Sequence, residues 1–237
     1  MKYLKYNEFR TINTMDLIEI IARKKIPRKT IMITFDDGWL DNWIFAYPVL
    51  KKYGLKAVLF IITGQISESL KRKRYDEGFK GTMPSHSKCK EFVEKGENES
   101  VMLSWQELKE MEDAGVIDVQ SHTHRHQRYT TEGDLDKNSL GDDLATSKNI
   151  IEQRLNKNCV GLCWPWGDYT SEHIDEAKRA GFKALFTTIK GSNRADDGAY
   201  EIKRIPVGNI GRFNLHKKIS IHSNYLLSKL YLSVFKA

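Results

Sequence analysis

The sequence predicts an α/β fold, an incomplete (β/α) barrel, on three observations. Strand-like and helix-like segments alternate from end to end, the pattern of parallel strands joined by crossover helices. Residues 55–63 form a continuous apolar run, as strands buried on both faces of a parallel sheet do. At 237 residues the chain can bury a substantial core, and an α/β architecture of this size is normally one domain, here taken as 1–237.

In chain order, residues 30–35 read as a buried strand and 41–53 as a helix that Pro48 should kink or interrupt and Gly54 should stop. The strand at 55–63 follows. Between 66 and 102 charged residues, Gly78, Gly81, Pro84 and Gly96 break any clean period, so this stretch reads as an insertion, either a lid or binding loop or a disordered surface excursion. Ser104 with Glu107 three residues later is a capping box that opens a helix ending at Gly115. A strand at 116–121 and an amphipathic helix at 140–158 come next. A strand at 160–164 runs into Pro165-Trp166-Gly167, a helix at 171–180 closes on Gly181, and 183–188 and 201–207 are the last strands. A helical extension covers about 213–237, and there is no internal repeat.

Composition narrows the class. With 40% hydrophobic and 29% charged residues the chain is neither disordered nor collagen-like. The net charge of +7 is locally dense at Lys71-Arg72-Lys73-Arg74 and Lys217-Lys218; it suits acidic glycans or anionic lipid headgroups, and reads first as solvated helix faces. No interleaving of basic and aromatic residues marks a nucleic-acid site, so no nucleic-acid partner is expected. Cys89, Cys159 and Cys163 are odd in number without paired spacing, and the first residues lack the apolar core of a secretory signal. These features predict a cytoplasmic location. Residues 225–236 are apolar but too short to span a bilayer; they are expected to pack on the domain, with peripheral contact at the inner membrane face as the alternative.

Two motifs carry chemistry. Asp36-Asp37-Gly38 ends the first strand, and Ser121-His122-Thr123-His124-Arg125-His126 ends a later one. One carboxylate and two imidazoles suit a single divalent ion of the zinc type, whereas calcium or magnesium would call for more oxygen ligands. Neighbouring side chains on a strand end point to opposite sides, so the two aspartates can do different jobs. The expected ligands are Asp37, His122 and His126, with Asp36 as a base on water activated by the metal and Arg204 as the cation that holds Asp36 in place.

The runs Thr34-Phe35-Asp36-Asp37-Gly38, His122-Thr123-x-x-His126 and Trp164-Pro165-Trp166-Gly167, in this order and separation, resemble the NodB-type polysaccharide deacetylases, carbohydrate esterase family four, from about residue 13 to about 207. The resemblance implies a deformed (β/α)7-type barrel, one metal ion that is usually zinc, and removal of acetyl groups from N-acetylated sugars. It puts the base on Asp36 and the metal triad on Asp37, His122 and His126. It also puts the third motif, with Pro165 and Trp166, along the groove, and the Trp166 backbone N–H at the oxyanion. Cys163 stands where many members carry an arginine that steadies the base; this departure and Arg204-Ile205-Pro206-Val207 resemble the subgroup that partly deacetylates poly-N-acetylglucosamine.

The family's leucine-x-histidine, which supplies the general acid, has no counterpart here. His216 and His222 lie in the right part of the chain, but neither has leucine two residues before it. Of five tryptophans, Trp39 and Trp166 are nearest the motifs and are the expected sugar platforms. The expected substrate is an N-acetylated glycan or a lipid- or nucleotide-linked sugar. The alternatives are a hydrolase of a non-sugar amide or cyclic imide on the same barrel, and an inactive glycan-binding relative.

Overall fold

In the computed structural model of the chain, residues 1–130, 137–208 and 210–234 are described. Six parallel strands follow one another in chain order: β3 (Thr34–Phe35), β4 (Ala57–Ile61), β5 (Ile117–Ser121), β6 (Gly161–Cys163), β7 (Ala184–Lys190) and β8 (Ile202–Arg204). They form a curled half-barrel with helices on its outer face: α3 (Tyr47–Tyr53), α5 (Trp105–Asp113), α6 (Lys137–Leu155) and α7 (Ser171–Arg179). The remaining elements are α1 (Lys2–Tyr6), β1 (Arg10–Thr11), α2 (Thr14–Ala22), β2 (Thr30–Ile31), α4 (His86–Glu94), α8 (Arg212–His222) and α9 (Tyr225–Val234).

The period of two along each strand sorts side chains between two cores. Ala57, Leu59 and Ile61 of β4 pack outward with Val119, Leu162 and Leu185 against the helices. Val58 and Phe60 pack inward with Cys163, Ala184, Phe186 and Ile202, and Leu17 and Ile18 of α2 with Met32 lie against this inner cluster. Strand β5 departs from the apolar rule on its inner side. There the Asp118 carboxylate accepts from Lys157 Nζ at 2.5 Å and from Thr14 N at 2.9 Å. Gln120 Oε1 accepts from the N–H groups of Val160 and Gly161, at 3.0 and 2.7 Å, where β5 and β6 pair only at Ser121 and Leu162.

The single strand expected at 30–35 is two strands. β2 pairs with β1 (Arg10 with Thr30), whereas β3 pairs with β4 (Thr34 with Val58), so Met32 and Ile33 pass the chain from one sheet to the other. The helix expected at 41–53 is interrupted at Pro48 rather than kinked. Residues Asn42–Ala46 wind as a π-turn, and α3 restarts at Tyr47 with Pro48 in its first turn, where a missing N–H leaves no bond unmade. The expected capping box of Ser104 and Glu107 is present, and Gly54, Gly115 and Gly181 follow their helices with positive φ.

The insertion is an ordered excursion carrying α4, and in the cationic run at 71–74 Arg72 and Arg74 are part of its foundation while Lys71 and Lys73 stay exposed. Arg72 Nε and Nη2 donate to both oxygens of Glu107 at 2.9 and 2.6 Å, and its guanidinium also donates to the carbonyls of Glu99 and Met102. The Glu107 side chain is fully buried. Arg74 bonds Glu110 and lies 4.8 Å over the Trp43 ring. At the other end, α9 buries Ser228 against His222 but exposes Leu226 and Leu230. No helix among the described residues is long and apolar enough to cross a membrane.

Removing one member of a buried pair leaves an uncompensated charge. Arg72→Met is therefore expected to lower the stability of the fold by about 3 kcal/mol, read as a shift of the urea midpoint at unchanged slope.

Candidate metal centre

The site is assembled at the C-terminal ends of β3, β5 and β6. Asp36 continues the inward parity of Met32 and so faces the concave side. Asp37 is turned by a left-handed backbone, φ 73°, and Gly38 follows at φ 94°, where a Cβ would stand 3.0 Å from Ile66 Cδ1. After β5 the chain doubles back through Thr123 (φ 68°) and His126 (φ 54°). Thr123 N donates to Ser121 Oγ, His126 N donates to Thr123 Oγ1, and the Asp143 carboxylate accepts from the N–H groups of His124 and Arg125. After β6, Trp166 has φ 55° and Gly167 lies so close to Thr188 that any side chain there would collide with it. Four of the eight non-glycine residues with positive φ among those described are thus at this mouth, the concentration of backbone strain expected where structure serves a site.

These loops bring the three expected ligands together. His122 Nε2 and His126 Nε2 lie 3.4 and 3.6 Å from Asp37 Oδ1, and the ligating atoms of all three are within 4.8 Å of one another. Each is oriented from behind. His122 Nδ1 donates to the Cys163 carbonyl at 2.7 Å, which turns Nε2 to the site. Trp39 Nε1 donates to Asp37 Oδ2 at 2.9 Å, which leaves Oδ1 facing the imidazoles. An oxygen and two ring nitrogens with an open side fit a zinc-type ion. Asp36, His122 and Cys163 also lie within ligand distance of one another, but both nitrogens of His122 are already committed, so that second grouping lacks a donor.

Burial alone would raise the Asp37 carboxyl, but the hydrogen bond and charge of His122 and the Trp39 N–H outweigh it and hold the carboxyl at about 2. Burial and the charge on His122 push His126 down to about 4. For His122 burial works against charge, yet its acidic neighbours lift it well above the usual imidazole range. Burial also lifts the Cys163 thiol, so that sulfur is uncharged at neutral pH and Asp37 is the partner that keeps the proton on His122.

Asp36 stands beside this triad with partners of its own. Its Oδ1 accepts from Arg204 Nη1 at 2.7 Å, and Cys163 Sγ approaches Oδ2 at 3.9 Å. Arg204 Nε is anchored on the Thr187 carbonyl at 2.9 Å. Trp166 is exposed, with its ring 4.3 Å from that of His126 and the Arg128 guanidinium 4.5 Å over it. The turn's own hydrogen bonds come from the N–H groups of Gly167 and Asp168 and do not use that of Trp166. Next to Asp36 a cleft of about 440 Å³ is lined by Phe35, Trp39, Asp41 and Phe45.

One expected contact falls differently. Pro165 is buried at the start of its turn and offers no exposed face to a groove. Trp39 is half-buried against Val101 and Met102, with its N–H spent on Asp37, so it supports a ligand as much as it lines a wall. His216 is stacked on Tyr3 with ring centroids 3.8 Å apart, and His222 Nδ1 is bonded to Ser228 Oγ. Neither touches the mouth. The Cys163 carbonyl and the Trp39 N–H were not read as parts of the site, since neither a backbone carbonyl nor an indole two residues past a ligand has a sequence signature.

A metal requires neutral imidazoles, and the acidic neighbours of His122 favour its protonated form when the ion is absent. Zinc binding is therefore expected to be coupled to proton release, increasingly so as pH falls, read by calorimetry in buffers of different ionisation heat. Because the His122 pKa is raised, affinity should fall as pH drops through that value rather than through the lower one of His126. Trp39→Phe, which frees Asp37 Oδ2, should weaken binding about tenfold in the same titration.

The sequence profile described as polysaccharide deacetylase matches residues 23–185. The chain is 28% identical over 208 residues to the protein YxkH of Bacillus subtilis, covering 87% of this chain and 62% of that one. It is 26% identical over 216 residues to the poly-beta-1,6-N-acetyl-D-glucosamine N-deacetylase of Staphylococcus epidermidis, covering 88% and 65%. The chain thus spans somewhat less than two thirds of the length of these curated relatives. Among solved structures, the deacetylase PplD of Streptococcus pyogenes, in complex with acetate, shares the fold with a TM-score of 0.72 at 23% identity over 91% of this chain and 82% of that one. IcaB of Ammonifex degensii shares it with a TM-score of 0.68 at 24% identity, over 88% and 81%. With the profile covering most of the chain, and its span including the aspartate doublet and both histidines, the chain belongs to the polysaccharide deacetylase family.

Proposed function

We propose that the protein is a metal-dependent N-deacetylase of an N-acetylated glycan, with Asp36 as general base. The observation that carries this reading is the division of labour in the doublet: Asp37 faces the two imidazoles, while Asp36 beside them is paired with Arg204. Asp37, His122 and His126 would hold one divalent ion, taken as zinc from their chemistry, and that ion would supply Lewis acidity to lower the pKa of water and polarise the amide carbonyl.

The chain's own groups supply the rest. Asp36 takes the proton of the attacking water, and the Arg204 guanidinium fixes the direction from which it does so. The Trp166 N–H, unused by its turn, donates to the carbonyl oxygen as charge develops there. The proton on Asp36 then passes to the departing nitrogen, which leaves as the amine with acetate as the other product. Asp36 fills this second role because His216 and His222 are engaged elsewhere.

For the substrate, the exposed Trp166 ring suits stacking on a sugar. The Staphylococcus relative named for poly-beta-1,6-N-acetyl-D-glucosamine favours a glucosamine-type polymer, or a lipid- or nucleotide-linked precursor of one. The exposed Leu226, Leu230 and Val234 of α9, with the net charge of +7, support peripheral contact with an anionic membrane surface.

Acetate release from N-acetylglucosamine oligomers in the presence of zinc tests the assignment. Asp36→Asn should lower kcat by about a thousandfold while zinc still binds. Arg204→Met should lower it by about a hundredfold, and the double variant should be no slower than Asp36→Asn, since both act through one group. Undiminished turnover in Asp36→Asn would remove it as the base.

A further inference from the structure

The insertion places one face of a helix beside the metal centre. α4 is seated by Cys89, Phe92 and Val93 against Val101 and Met102, and Trp39 packs on the same cluster. His86 and Lys90 lie one turn apart on its exposed side. The His86 ring meets the Trp39 ring edge-on with centroids 5.2 Å apart, and Trp39 is the residue whose N–H holds Asp37. Lys90 is near enough to His126 for its charge to act on that imidazole. This side of α4 therefore borders the mouth.

The charges on this face do not balance. Asp41 lies near enough to His86 for the two to interact. Among the described residues no carboxylate is within ion-pair distance of Lys90 Nζ, although sixteen other Lys and Arg side chains have such partners. An unpaired ammonium at the rim of a site built for a dication is repelled by that ion, and an anionic ligand lying between them relieves the repulsion. The opposite rim is different, because Arg128, over Trp166, is already paired with Asp168 at 3.5 Å.

We propose that α4 is the specificity wall of the groove, with Lys90 binding an oxyanion, phosphate or carboxylate, on the sugar unit next to the reacting acetamido unit, and His86 hydrogen-bonding to that same unit. This rests on the deacetylase reading above and adds to it a charge class of substrate. The wall belongs to the insertion rather than to the strand ends that carry the metal, so selectivity and chemistry reside on different parts of the chain. The ordered anchoring of the insertion through Arg72 and Glu107 gives that wall a fixed position.

The test compares acetate release by the zinc-loaded protein from three oligosaccharides of equal length: a neutral N-acetylglucosamine oligomer, the same oligomer bearing a phosphate monoester, and one containing a uronic acid. The expected result is a kcat/KM about tenfold higher for at least one anionic substrate, expressed in KM, with the two anionic arms telling phosphate from carboxylate. Lys90→Gln should bring the ratio close to one, whereas Lys88→Gln, on another face of α4, should leave it unchanged. Equal kcat/KM for all three substrates, or a Lys90→Gln variant that slows all three alike, would overturn the inference while leaving deacetylation intact. No acetate from any of them would defeat the deacetylase reading and this inference with it.

Discussion

The ion pair of Arg204 and Asp36 joins the first and last strands of a sheet that does not close on itself. β3 and β8 are the two edges of the six-stranded order, and no ladder pairing between them is present among the described residues. Arg204 spans that gap, with one nitrogen on the Asp36 carboxylate and another on the Thr187 carbonyl. One contact therefore serves two ends: it ties the open edge of the half-barrel and it aims the carboxylate that the chemistry needs. The Asp36 side chain is 33% exposed, so solvent screens part of the attraction and the pair's value lies more in direction than in stability.

Around this pair the site relies on backbone geometry that L-residues seldom adopt. Asp37, Thr123, His126 and Trp166 all sit in the left-handed region, each fixed by neighbours that over-determine it: the Trp39 N–H, the Ser121 and Thr123 hydroxyls, and the tight approach of Gly167 to Thr188. Without an ion, Asp37 and His122 satisfy each other as a carboxylate and a protonated imidazole. The same arrangement is ready for a divalent ion in place of that proton, which is why binding and protonation compete for one set of atoms.

The insertion shows how a polar segment can be rigid. Its anchor is not an apolar core but Arg72, whose donors are divided among the Glu107 carboxylate and two backbone carbonyls, so that the buried charge is compensated on every side. A helix held this way can present exposed cations to a site without drifting.

What the sequence by itself determined is what depends on near neighbours. The alternation of elements, the capping box at Ser104 and Glu107, the glycines that follow helices, and the doublet and histidine pair at strand ends are all legible because periods of two and 3.6 and local hydrogen bonds act over a few residues. Asp36 with Arg204, and Asp37 with His122 and His126, were legible as chemistry before they were distances. Only the tertiary structure decided the contacts between residues far apart in the chain. These include the division of 30–35 between two sheets, the burial of Pro165, the support that Trp39 and the Cys163 carbonyl give to ligands, and the engagement of His216 and His222 away from the mouth. The cationic run at 71–74 looks like solvated surface in one dimension, and Arg72 within it became structural because Glu107, 35 residues from Arg72, is buried where only a guanidinium can satisfy it.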